Sequence, residues 1–288
     1  MTNDTNTPKH KRRIDRRTLL IGVSGALVAL AGCTNKPETS DETAQTTKQP
    51  ADGSDAFEQI GFNDGTLIVT LADDVSVEEV NLLTSSGDIA MQVPVVSGSS
   101  NAEFELVGPS TEGYTPGEHT LVAVSNGETI GETTLDLTPN VTLSDLRWAK
   151  QYPELEWNKD RANWEEYSAL LLENTGTAPT YLTQLRWSKT PRLLALTYDT
   201  VETQPQIVLP AGETTIVYSR WPTFATHVQG TSLDCGNLDT VEFTVTADLQ
   251  VGSSVSYSQS VTYGGDQYSC ELSSGDPSTT QATVTDSS

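Results

Sequence analysis

The chain has 288 residues and a formal net charge of −23 at pH 7, from 39 acidic against 16 basic side chains. A surface this negative repels nucleic acid and anionic lipid headgroups, which excludes both as partners. The charge is also uneven: residues 1–32 carry six of the basic and two of the acidic residues, leaving ten against 37 beyond them, a net charge near −27.

The first element is a leader. Lys9, Lys11, Arg12, Arg13, Arg16 and Arg17 precede an apolar run of 13 residues, and Leu30-Ala31-Gly32-Cys33 closes it. A basic region, a short apolar region and small residues before a cut are the three parts of a secretory signal. A membrane span needs ~20 apolar residues to cross ~30 Å of hydrocarbon, so this run is too short to be one. Arg16-Arg17-Thr18-Leu19-Leu20 together with the closing tetrapeptide resembles a twin-arginine export signal ending in a lipobox, as in prokaryotic lipoproteins. The resemblance implies that Arg16 and Arg17 are read during export of an already folded chain. It further implies that the bond before Cys33 is cut and that the Cys33 thiol carries lipid. Asp15 stands where the commonest pattern has Ser or Thr, and Arg12-Arg13 is a second pair, so which arginines are read stays open. One acyl chain holds a protein only reversibly, so stable anchoring takes two. The expected location is the cell membrane, lipid-anchored, on the extracellular side. Seven Lys in the whole chain, against abundant Asp, Glu and Thr, is similar to the composition of halophilic archaea. Molar salt there screens self-repulsion beyond ~3 Å.

Residues 33–56 hold the lipidated cysteine and a Thr-rich stretch without large apolar side chains. Such a segment cannot offset the entropy of ordering and reads as a tether with a reach of ~25–30 Å, open to O-glycosylation.

Residues 57–139 form a first domain. Strands are expected at 66–71, 79–84, 88–93, 102–107, 119–125 and 129–137, with Asn126-Gly127 as a hairpin turn. Short alternating runs between frequent turns indicate a β-sandwich. The turn Tyr114-Thr115-Pro116-Gly117 into the strand from His119 resembles a late strand of immunoglobulin-like surface domains. The domain has 14 Asp and Glu and no Lys or Arg.

Residues 140–272 form a larger sandwich, with strands expected at 141–149, 167–173, 181–188, 193–198, 206–209, 214–220, 241–250 and 254–263. Leu170-Leu171-Leu172-Glu173-Asn174-Thr175-Gly176 and Val208-Leu209-Pro210-Ala211-Gly212-Glu213 resemble the strand-turn patterns of cell-adhesion-related and fibronectin type III-like modules. That resemblance implies a fold and no activity. An insert at 150–166 interrupts the pattern. The fold expected is all-β: two β-sandwiches in series behind a signal peptide and tether, with 273–288 a disordered tail.

With Cys33 lipidated, Cys235 and Cys270 remain as one pair in an oxidising compartment. A two-residue type II′ turn at Gly252-Ser253 would set them opposite each other across the last hairpin.

No catalytic constellation is found. His119, expected on an edge-like strand, and His227 are the histidines beyond the leader, and neither stands beside a nucleophile elbow or a zinc helix. Paired carboxylates such as Asp73-Asp74 and Glu165-Glu166 suit a solvated acidic surface better than glycosidase chemistry. No cofactor and no metal site is expected, although calcium near Asp64, Asp73 and Asp74 stays open.

One feature is unusual. All five Trp lie in the second domain, and three follow an arginine: Arg147-Trp148, Arg186-Trp187 and Arg220-Trp221. Strand neighbours point to opposite faces, which leaves three readings open. In the first, the Trp fill the core while the Arg pair with acids. In the second, the Arg form a stripe that docks the all-acidic first domain. Or the stripe meets an anionic partner, with Trp157 and Trp164 of the insert as exposed anchors. Asn140-Val141-Thr142 is a glycosylation sequon at the domain junction. The function expected is a non-enzymatic surface lipoprotein that contacts an envelope protein or glycan in an adhesive, structural or assembly role. The alternative is a ligand-binding module, for glycan or calcium, that serves a transporter or hydrolase. A concave pocket lined by two or more exposed tryptophans would favour the second, a flat arginine-bearing face the first.

Overall fold

The computed structural model describes residues 55–191, 200–226, 235–266 and 268–281. Arg16, Arg17, Cys33, the strand expected at 193–198 and His227 lie outside the described residues.

The described chain is all-β, as expected. The first sandwich contains β1 (Phe57–Asn63), β2 (Thr66–Leu71), β3 (Glu79–Thr84), β4 (Ile89–Pro94), β5 (Asn101–Glu105), β6 (Gly117–Ser125) and β7 (Glu128–Leu137). Its sheets run β1-β2-β5 and β4-β3-β6-β7, all antiparallel. Every second residue of β2 is buried: Leu67, Val69 and Leu71. These meet Phe104 from β5 and Val80, Leu82, Leu121 and Ala123 from the other sheet in one apolar cluster. Strand periodicity therefore became a core, because alternate side chains share a face. The Asn126-Gly127 turn forms as expected, both residues with positive φ (51° and 77°), and joins Ser125 to its partner Glu128. β6 is an inner strand, not an edge. His119 is accordingly buried, with Nδ1 3.0 Å from the carbonyl of Gly117 and its ring edge-on to Tyr114.

The second sandwich contains β8 (Val141–Trp148), β9 (Ser168–Asn174), β10 (Thr180–Ser188), β11 (Thr200–Thr203), β12 (Ile207–Leu209), β13 (Glu213–Tyr218), β14 (Val241–Leu249), β15 (Val255–Gly265), β16 (Cys270–Ser274) and β17 (Ser278–Gln281). One sheet is β13-β9-β8; the other runs β11-β10-β14-β15-β16, with β12 on β10 and β17 on β15. Two short 3₁₀ turns, Trp164–Glu166 and Cys235–Asn237, are the helical pieces among the described residues. The tail expected to be disordered from 273 instead holds the end of β16 and all of β17. Ser278–Gln281 pairs with β15, and the Gln281 amide donates to the carbonyl of Val141 at 2.9 Å.

The hairpin β14–β15 corrects the expected register. Ala247 faces Val255, so residues 248–254 make the connection and no two-residue turn forms at Gly252-Ser253. The reason is tertiary. The Gln250 carboxamide reaches into the first sandwich, where Oε1 accepts from Gly108 N at 3.0 Å while Nε2 donates to the carbonyls of Gly108, at 3.0 Å, and Thr111. Val251, Ala178 and Tyr181 join the first sandwich's apolar cluster. Tyr114 donates to the carbonyl of Pro179 at 2.8 Å. At Gly113 (φ 91°) an added Cβ would come within 2.7 Å of the Val251 side chain, so only glycine fits this joint.

Cys235 and Cys270 do form a disulfide, with Cα atoms 5.4 Å apart. Their setting differs from the expectation: Cys235 lies in the second 3₁₀ turn and Cys270 opens β16, whose register sets it against Gly265. The bridge thus ties the segment before β14 to the strand beyond β15, buried against Tyr263.

Candidate functional site

The three Arg-Trp pairs fare differently. β8 and β10 alternate, so Trp148 and Trp187 turn inward and are almost fully buried. Trp148 packs edge-on against Phe224 and Phe243, at ring distances of 4.7 and 5.7 Å. Their arginines point out and meet acids, Arg147 with Asp145 at 3.0 Å and Arg186 with Asp248 at 2.9 Å. Each pair therefore divides between core and surface, with Trp148 and Trp187 inside the sandwich and Arg147 and Arg186 on the outer faces of its two sheets. Lys150 donates to the carbonyl of Cys270 at 2.9 Å instead of extending a basic stripe. Nor do these arginines dock the first sandwich, since the joint is made by Gln250, Tyr114 and Val251.

Arg220-Trp221 breaks the pattern. β13 ends at Tyr218, so the alternation stops, and both residues of the pair are exposed, Trp221 to 52%. They stand beside the insert, which folds as a run of tight turns with its own hydrogen bonds. Gln151 and Tyr152 bond back to Trp148, Arg161 to Asn158, Trp164 to Arg161 and Glu166 to Asn163. Glu166 is buried and anchors the insert, its Oε1 accepting from Thr226 and its Oε2 from Asn163.

Between insert and β13 lies a cleft of about 250 Å³. Its aromatic walls are Trp157, Trp164, Tyr167 and Tyr218; its polar groups are Glu156, Asn158, Arg161, Ser219 and Arg220. The walls hold one another. Trp157 stands edge-on to Tyr218 at 5.0 Å, donates from Nε1 to the carbonyl of Tyr152 at 2.7 Å, and packs with Ala149 and Ala169 in a small apolar cluster. The Tyr218 hydroxyl accepts from the amide of Glu156 at 3.2 Å. Cations sit over the rings: the Arg161 guanidinium is 5.2 Å from the centre of Tyr167, and the Lys159 ammonium 5.4 Å from that of Trp164. Trp157 and Trp164 are thus not free-standing exposed anchors. Trp157 is 9% exposed and Trp164 half-buried, each offering part of a face to the cleft.

The arrangement suits holding a ring. Of the residues lining the cleft, only Glu156 carries a carboxylate, and none is a histidine or cysteine. Among the described residues no three His, Cys, Asp or Glu side chains converge as metal ligands. The acidic segment that includes Asp73 and Asp74 lines a separate, wider hollow in the first sandwich. Asn140 is exposed at the junction, its amide donating to Thr175 Oγ1 at 2.8 Å.

Sequence reasoning singled out Trp157, Trp164, Arg220 and Trp221 but missed Tyr167, Tyr218 and Arg161. The alternation that leaves Tyr218 outward at the end of β13 was the available signal.

The fold and cleft define an all-β protein of two joined sandwiches. No family model matches the chain, and no curated protein matches it in sequence. Among solved structures, two crystal structures of a glycosyl hydrolase family 2 member from Bacteroides cellulosilyticus are similar at 13% identity, each with a TM-score of 0.20. They cover 71% and 75% of this chain, which spans only 25% and 22% of theirs. No property of this chain follows from them.

Proposed function

We propose that this chain is an exported lipoprotein, held at the membrane through Cys33, that presents two β-sandwiches as a non-catalytic binding module. The observation that carries the reading is the cleft between the insert and β13. Four aromatic side chains converge there on a small polar space, in the manner of ligand sites lined by rings with a few oriented polar groups. The partner is a component of the cell envelope, met at the cleft and not on a flat arginine-bearing face. The leader supports export and anchoring, by its resemblance to lipoprotein signals. The exposed Ile216, Tyr218 and Trp221 at the β13 edge favour a second reading, contact with an envelope protein.

Retention of the purified protein on isolated cell envelopes tests this. Trp164→Ala is expected to lower retention at least ten-fold with the melting temperature little changed; undiminished retention would remove the cleft from the reading. In cells, Cys33→Ser is expected to release the protein into the medium. A variant still bound to membranes would overturn the anchoring.

A further inference from the structure

Resting on that reading of the cleft, we propose that its ligand is an acidic saccharide, one pyranose ring lying against the aromatic wall with its carboxylate held by Arg161 and Arg220.

The argument begins with charge. The body is strongly acidic, and elsewhere in the second sandwich each described arginine has an acid at hydrogen-bond distance, Arg147 with Asp145 and Arg186 with Asp248. Arg161 and Arg220 line the cleft and make no ion pair among the described residues. Against the single carboxylate of the cleft, Glu156, two guanidinium groups with no ion pair among the described residues leave the site net positive and suited to an anion from outside. A guanidinium held over an aromatic ring, as Arg161 is at 5.2 Å from the centre of Tyr167, still has N–H groups with which to grip a carboxylate in a bidentate fork.

The rings then select what bears the carboxylate. Trp164 is half-buried and Tyr218 is 37% exposed, both lining the cleft, while Trp221 lies open beside Arg220. A flat face accepts the C–H side of a sugar, and the exposed Asn158 lies in the same space to meet hydroxyl groups. At about 250 Å³ the cleft is below the ~300–1,000 Å³ of sites for drug-sized ligands. It therefore takes a single ring, with neighbouring units running out past Trp221. A simple phosphate ester fits less well, because it would use the guanidinium groups and leave the four aromatic rings of the cleft without a partner. An acidic peptide would use the guanidinium groups but leave the ring faces idle.

The full-length protein should be titrated, following tryptophan fluorescence, with trigalacturonic acid, its methyl ester and triglutamate. The acid is expected to bind at least ten-fold tighter than the ester, and triglutamate not measurably. Arg161→Gln and Arg220→Gln should each weaken the acid about ten-fold, ~1.4 kcal/mol, and leave the ester unchanged. Both sites are exposed, and an unchanged melting temperature verifies the fold. Equal binding of ester and acid overturns the acidic assignment while leaving a saccharide cleft. Binding of triglutamate as tight as the acid overturns the saccharide. If no probe binds while Trp164-dependent retention on envelopes persists, the ligand class fails and the binding module stands. If that retention is also independent of Trp164, both fail.

Discussion

The two sandwiches solve the same packing problem with different means. The first holds its β-strands together by aliphatic alternation around Phe104, with 14 acids and no base on its own surface. The second has all five tryptophans, both ion pairs among the described residues, the disulfide and the cleft. The first carries acids alone. The second has its cations and rings placed one by one, and where its alternation stops, at the end of β13, those groups line the cleft.

The sharpest way to break this comparison is at Trp187. Trp187→Ala should cost ~3–5 kcal/mol, the usual range for emptying a buried aromatic site, and calorimetry should show the loss in the second sandwich. A drop confined to the first would refute the division. Next in size is the bridge. Replacing Cys235 and Cys270 together with Ser opens a closure of 35 residues and should cost ~3–4 kcal/mol in the chain-entropy model. Denaturant titration with and without reductant measures it.

Alkali sharpens the contrast further. Burial pushes the Tyr257 hydroxyl up to about 12, with Asp145 and Tyr152 adding to it. Burial, and to a lesser degree Glu166, raises Tyr263 still more despite the bond it accepts from Ala225. Tyr114, at the joint, is raised by burial and by Asp136. An unfolded tyrosine titrates near ~10, so below that pH both states hold these protons and the contribution to stability is complete. As pH climbs past ~10 the unfolded chain deprotonates first, and stability falls until the folded values are passed. The second sandwich, with two such tyrosines, should loosen first, as seen in tyrosinate absorbance during denaturant melts from about pH 9 to about pH 12. The smallest effect belongs to Trp221→Ala. An exposed side chain outside any core should change stability by less than ~0.5 kcal/mol, so a large loss there would show that its exposure is misjudged.

Much of the architecture was legible from alternation and turn chemistry. β2, β14 and the Asn126-Gly127 hairpin read directly, because burial of every second side chain leaves a mark in the residues. β17 did not: Ser278-Thr279-Thr280-Gln281 is exposed throughout, and only its pairing with β15 makes it a strand. The last hairpin misled for a similar reason. Gly252-Ser253 carries the local signal for a tight turn, but Gln250 and Val251 are drawn into the first sandwich and the loop widens around them. Half of the cleft was visible as two tryptophans in an insert. The other half arrives through the pairing of β13 with β9, which brings Tyr218 opposite Ala169, a partnership no local pattern encodes.

The Gln250 joint carries a consequence of its own. A carboxamide bonded to main-chain groups has no net charge, so its strength does not vary as ions screen the surface around it. Salt therefore acts on the repulsion between the acidic surfaces and leaves these bonds as they are. The second sandwich is thus fastened to the first by neutral hardware, indifferent to the salinity of its surroundings.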